Sequence, residues 1–234
     1  MLRQIITGIA GIWLASSGQV TAQSAPGTVV ELYTSQGCSS CPPADEYLGV
    51  LAAEPGVIAL ALHVDYWDYI GWTDQFASPK FTARQKAYAK AGGSNTIYTP
   101  QMIVAGVDRI EGSNPEKVEG AIRNQQAGDS SITLYLTRDG GKVTISATSN
   151  PPLTVPVHVQ LVRYRPTETV SIKYGENAGR VIKYNNIVTS WSRIGEWSGK
   201  EDLAMTSDVE GNDPVVVILQ TEGPGMILAA SVLK

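Results

Sequence analysis

The hydrophobic rhythm of the chain changes near residue 128, and that break restricts it to two unlike halves. From Val29 to about Gln126, short apolar runs alternate with helically spaced segments. Val29 to Thr34 is rich in strand formers. Ala44 to Ala53 carries Tyr47, Leu48, Leu51 and Ala52 at helical spacing and stops near Pro55-Gly56. Val57 to Val64 predicts a buried strand. Ser78-Pro79 pairs a cap with a proline at the first helical position, predicting a helix to Ala91 before Gly92-Gly93. Met102 to Ala105 and Val107 to Ile110 predict two strands joined tightly at Gly106, and Asn114-Pro115 opens a helix to about Gln126. The expected order is β-α-β-α-β-β-α.

Beyond Gly128-Asp129 the period becomes two. Ile132, Leu134 and Leu136, a turn at Asp139-Gly140-Gly141, then Val143, Ile145 and Ala147 predict a hairpin. Val155, Val157, Val159 and Leu161 continue the alternation. Further strands are expected near 170–172, 181–188, 215–220 and 226–232, with Gly223-Pro224-Gly225 turning the last pair. About seven strands without a convincing helix predict a mostly antiparallel, β-rich, sandwich-like unit. The expected organisation is an α/β domain over 23–128 and a β-rich domain over 129–234.

The first 22 residues read as an export signal, with Arg3 in a positive n-region, an apolar h-region from Ile5 to Leu14, and Val20-Thr21-Ala22 before a cleavage point at Gln23. The expected destination is the periplasm or the exterior. No later stretch has the length and apolarity of a membrane helix, so no membrane association is expected after cleavage. A net charge of -4 without a basic run argues against nucleic acid as the main partner. Hydrophobic residues at 43% against 17% charged provide for a substantial core.

Cys38-Ser39-Ser40-Cys41 contains the chain's 2 cysteines, between the first strand and the first helix. Two thiols at this spacing can switch between dithiol and disulfide, and a helix N-terminus favours the reactive thiolate. Export supports the same chemistry, because an oxidising compartment lets a disulfide persist. A purely structural bridge is the blander alternative, but closing so short a loop contributes only about 2 kcal/mol. Metal binding is short of ligands, since a closed zinc site needs four and the chain offers 2 histidines and 4 methionines besides. His63 and His158 stand at no ligand spacing from the cysteines. Two thiolates could still hold Cu(I).

Val30-Glu31-Leu32-Tyr33-Thr34-Ser35-Gln36-Gly37-Cys38 resembles the opening strand and loop of glutaredoxins, within the thioredoxin-like superfamily. Thr99-Pro100-Gln101-Met102-Ile103-Val104 is similar to that superfamily's threonine–cis-proline strand. Taken whole, with His63-Val64-Asp65-Tyr66-Trp67-Asp68 and Ile97-Tyr98-Thr99-Pro100-Gln101, the chain resembles the exported thioredoxin-like family labelled domain of unknown function 1223. The resemblance implies a thioredoxin-like fold for the first half, Cys38 as attacking thiol, Cys41 as resolving thiol, and Pro100 as a cis-proline. Thr99 would then offer backbone groups to an extended substrate. The chain departs from the superfamily at Gly37, where a tryptophan is usual, at the neutral Ser39-Ser40 pair, and at Pro42-Pro43. Because a residue before proline avoids the α region, that last pair leaves the helix start open; a start only at Pro43 would weaken the dipole at Cys38.

Glu31, in the strand leading to the cysteines, is a candidate proton relay if buried with a raised pKa. Asp65 is expected to cap or turn. Tyr66, Trp67, Tyr69, Trp72 and Phe76 crowd one stretch, either covering the sheet edge or walling a substrate groove, with Tyr66 and Trp67 nearest the site. Arg84, Gln85 and Lys86 are expected on a solvated helix face, while Asn177-Ala178-Gly179-Arg180 and Gly195-Glu196-Trp197 are expected to turn. The expected function is thiol–disulfide exchange with protein or small-molecule thiols and disulfides, without an organic cofactor. The alternatives are a Cu(I) metallochaperone using the same two thiolates, and a non-catalytic thioredoxin-fold binding module.

Overall fold

Among the described residues, proline begins each of the three α-helices, at the position where a missing N–H costs nothing. They are α1 (Pro42–Leu51), α2 (Pro79–Ala91) and α3 (Pro115–Gln126). Ser78 caps α2 by accepting from the Lys80 N–H at 3.3 Å, and Asn114 caps α3 by accepting from the Lys117 N–H at 3.2 Å. The strands are β1 (Ala25–Pro26), β2 (Thr28–Thr34), β3 (Val57–His63), β4 (Gln101–Val104), β5 (Asp108–Glu111), β6 (Ile132–Asp139), β7 (Lys142–Ser149), β8 (Val157–Ser171), β9 (Val181–Trp197), β10 (Leu203–Asp208), β11 (Val215–Gln220) and β12 (Ile227–Leu233). The computed structural model describes residues 25–128 and 130–234, so the expected export signal lies outside the described residues. Among the described residues, no helix is long and apolar enough to cross a membrane.

Nine strands form one mixed sheet in the order β1-β12-β11-β8-β9-β3-β2-β4-β5. β2 and β3 run parallel, with Thr34 opposite His63, while β4 pairs antiparallel with β2 and places Gln101 opposite Tyr33. Apart from β1, which pairs with β12 at the far edge, the α/β segment contributes one end of the sheet and the β-rich segment the other. They meet where Ile187 of β9 pairs parallel with Ala61 of β3. Beside that bridge Asn186 takes a positive φ of 47° and donates its side-chain N–H to the Ala59 carbonyl at 2.8 Å. A separate three-stranded sheet, β10-β7-β6, stacks on the β-rich end. The sandwich-like layering is thus local, made by Leu134, Leu136 and Ile145 against Val159, Val217 and Leu219.

Two expectations change here. β8 and β9 are far longer than the short strands expected, with 15 and 17 residues, so Gly195-Glu196-Trp197 lies in a strand and not a turn. β10 gives a weak sequence signal because its side chains alternate only between half-buried and exposed.

Alternation in β2 divides the core. Val30 and Leu32 meet α1 and α3 through Ala44, Leu48, Val118 and Ile122. Val29 and Tyr33 face the other way, toward Phe81 and Tyr88 of α2. Glu31 shares that second face, where Arg84 grips its carboxylate through Nε and Nη2 at 2.7 and 2.8 Å. Arg84 also reaches Gln160 and Gln220 of the β-rich segment and lies 3.8 Å over the Trp191 ring. Arg84 and Gln85 were expected in solvent. Arg84 instead ties the segments together, and fully buried Gln85 donates to the Tyr98 carbonyl and to Gln101.

Candidate functional site

Cys38 and Cys41 form a disulfide with Cα atoms 5.4 Å apart, and both residues are fully buried, whereas Ser39 and Ser40 between them are exposed. Cys41 is helical at φ -79° and ψ -33° in spite of the following proline, so α1 starts directly behind the pair and not late. The usual consequence, free helix N–H groups for a thiolate, is nevertheless curtailed. Pro42 and Pro43 have no N–H, and the Ala44 and Asp45 N–H groups both donate to the Cys41 carbonyl, at 2.9 and 3.0 Å. The polar neighbour of the Cys38 sulfur is Ser40 Oγ at 3.4 Å.

The Thr99–Pro100 bond is cis. Gly112 locates it: a Cβ there would lie 2.9 Å from Pro100 Cβ and 3.3 Å from Ala44 Cβ, so buried Pro100 packs close to the first turn of α1. Trp67 holds the preceding residue, its indole N–H donating to Thr99 Oγ1 at 2.8 Å. It also backs the cysteine loop, since a Cβ on Gly37 would meet Trp67 Cβ at 3.1 Å. Tyr66 instead turns to α2, donating to Gln85 at 3.2 Å, and burial pushes its phenol up to about 12. Of the two aromatics expected beside the substrate, the geometry groups Trp67 with Thr99 and Cys38. Glu31, the expected proton relay, is on the α2 face, where Tyr33, Tyr88 and Arg84 all donate to its carboxylate. That carboxylate is committed to a buried ion pair.

A different acid sits on the cysteine side. Asp45, one turn into α1, is 3% exposed, and neither side-chain oxygen has a hydrogen-bond partner among the described residues. Burial pushes it up to about 7, against the pull of His63 and Thr34. His63 Nδ1 lies 2.7 Å from Asp74 Oδ2, and the same Asp74 oxygen accepts the Gln36 N–H at 2.8 Å, two residues before Cys38. Burial opposes charge on both partners. It is outweighed on His63 by the Asp74 carboxylate, leaving the imidazole above its ordinary range, and on Asp74 by His63 and the Gln36 and Phe76 N–H groups, leaving the acid below its own. Thr34 Oγ1, Gln36 Nε2, His63 Nε2 and Tyr184 Oη are also buried without partners among the described residues. So many unmet polar atoms in one place call for ordered water or exchangeable protons. Sequence reading missed this cluster because Asp45 and Asp74 have no pattern linking them; only the buried strand position of His63 hinted at it.

The β-rich segment completes the site. Asn177, 1% exposed in the loop joining β8 to β9, donates to the carbonyls of Gln36 and Cys38, each at 2.9 Å. Its turn was expected; its contact with the cysteines was not. Among the described residues, no group of three or more His, Cys, Asp or Glu side chains is arranged to hold a metal ion.

A family model described as a protein of unknown function, DUF1223, matches residues 29–220. The X-ray structure of a protein from Agrobacterium tumefaciens is similar, at 32% identity and a TM-score of 0.77 over 89% of this chain and 94% of that one. HBP35 of Porphyromonas gingivalis shares the fold at 12% identity, with a TM-score of 0.61 over 89% of this chain and 74% of that one. No curated protein matches.

Proposed function

This chain belongs to the DUF1223 family, whose description carries no activity, and from the site itself we propose that it is an exported thiol–disulfide exchange protein built on a thioredoxin-like half. The observation carrying this reading is the Cys38–Cys41 disulfide at the start of α1, a helix whose first turn packs near Pro100 at the head of β4. The strand order β3-β2-β4-β5, with α1 and α3 on one face and α2 on the other, supports the thioredoxin-like assignment.

In the reduced protein, the Cys38 thiolate attacks one sulfur of a substrate disulfide. A mixed disulfide forms, the substrate S–S bond breaks, and the first substrate sulfur leaves as thiolate. Cys41 then loses its proton and attacks Cys38, releasing the second substrate thiolate and restoring the internal disulfide. Two electrons pass from the cysteine pair to the substrate. The reverse sequence oxidises a substrate dithiol. In this reading Asp45 takes and returns the Cys41 proton; its burial one helical turn away, its unmet oxygens and a carboxyl pushed up to about 7 by burial support that role.

The burial of both cysteines favours one competing reading, a bridge that merely closes its loop. The two separate on a Cys41→Ser variant incubated with glutathione disulfide. Exchange chemistry predicts one glutathione retained per chain, on Cys38, while the wild type releases it through Cys41. A variant that takes up none, with Cys38 alkylating like an unperturbed thiol of pKa about 8.5, overturns the proposal.

A further inference from the structure

A disulfide can be exchanged only if a thiolate approaches along the S–S axis, yet Cys38 and Cys41 are fully buried. We propose that the β8–β9 loop is a flap over the cysteines and that Asn177 is its latch, so that unlatching sets the rate at which the disulfide can be attacked. The inference rests on the exchange reading and adds regulation to the same site.

From 173 to 180, Asn177 is the one residue with a buried side chain; Lys173, Tyr174, Glu176, Ala178, Gly179 and Arg180 are exposed. The flap is therefore fastened by polar contacts and not by a greasy plug. The Asn177 amide uses both its N–H bonds on the Gln36 and Cys38 carbonyls, and its oxygen accepts from Arg180 at 3.1 Å, which fixes the amide's orientation. Farther along, Tyr174 leans on Trp72 with ring centroids 6.4 Å apart, and Trp72 donates its indole N–H to the Gln36 side chain at 2.8 Å. Gly175 and Gly179 have positive φ of 77° and 82°, and the loop is closed at its base by Gly179 N–H donating to the Ile172 carbonyl at 2.8 Å. The base is firm, and the tip is held by two donors that water or an incoming chain can replace. A hydrogen bond of this kind shifts an open–closed equilibrium about fivefold to tenfold.

The test is reduction of the oxidised full-length protein by dithiothreitol, with the return reaction followed in glutathione buffer. Asn177→Ala should react about tenfold or more faster. Asn177→Asp, nearly the same shape but presenting a carboxylate to two carbonyls, should do likewise. Tyr174→Ala, on an exposed side chain that cannot collapse the core, should accelerate reduction about twofold to fivefold. Forward and return rates should rise together, leaving the equilibrium with glutathione within about twofold, because a flap changes access and not the stability of the bond. Rates in all three variants within twofold of wild type overturn the flap, as does a rise in only one of the two rates, which shifts the equilibrium. If the variants are faster but no form, wild type included, retains glutathione after Cys41→Ser, the flap stands and the exchange reading falls. If glutathione is retained but the variants are no faster, the flap alone falls.

Discussion

Asp45, His63 and Asp74 titrate together, and their shifts define a window of stability. Asp45 is raised from 3.8 to about 7, so folding is hindered where the unfolded chain is ionised; the stability it permits is full below about 4 and is lost as pH rises through 7. His63 is raised, so its contribution is full below its ordinary 6.5 and is lost as pH rises through its folded value. Asp74 is lowered, so its contribution is present above 3.8 and is lost as pH falls through its folded value. Maximum stability is therefore expected near pH 4, with a decline from there to about pH 7. Asp45→Asn should flatten the loss above pH 4 and stabilise the protein at pH 8 by up to about 4 kcal/mol, checked by urea midpoints against pH. The same variant should slow release from the mixed disulfide, separating its catalytic cost from its gain in stability.

The two prolines that open α1 govern chemistry as well as geometry, because they remove two N–H groups that would otherwise point toward the cysteine end. Pro43→Ala restores one and should lower the Cys38 thiol pKa by about half a unit to one unit, read by alkylation of the reduced protein against pH. In α2 the decisive residue is Arg84. Its removal leaves Glu31 buried and unpaired, so Arg84→Ala should cost about 3–5 kcal/mol in urea denaturation. The double substitution Glu31→Leu with Arg84→Met should recover only part of that loss, since it removes the unpaired charge but leaves the buried Tyr33 and Tyr88 hydroxyls without the Glu31 acceptor.

At the scale of the whole molecule, the sheet crosses the change in sequence rhythm. Without the residues after 128, strand β3 would become an open edge, Arg84 would lose Gln160, Gln220 and Trp191, and the cysteine loop would lose Asn177. A chain ending at 128 is accordingly expected to aggregate or to lack a cooperative transition, checked by size-exclusion chromatography and thermal circular dichroism. The disulfide that the truncated chain keeps would not rescue it, because so short a closed loop contributes only about 2 kcal/mol.

Most of the order of strands and helices (β1 and β10 excepted), the Pro-led starts of α2 and α3, the β-rich tail and the C-S-S-C motif were legible in the chain, because each is written in neighbours within a few residues. The helical state of Cys41 was not, since the local bias of Pro42 was outweighed by hydrogen bonds closing the turn. Nor were the roles of Glu31 and Arg84: a carboxylate in a strand and a cation on a helix are equally compatible with solvent until their partners are known. Tertiary structure alone decided which acid stands on the cysteine side, that one sheet joins both halves, and that Asn177 donates to the Cys38 carbonyl. Those facts depend on contacts between residues far apart in the chain, such as Asn177 and Cys38 or Gln220 and Arg84, and periodicity carries no information about such pairs.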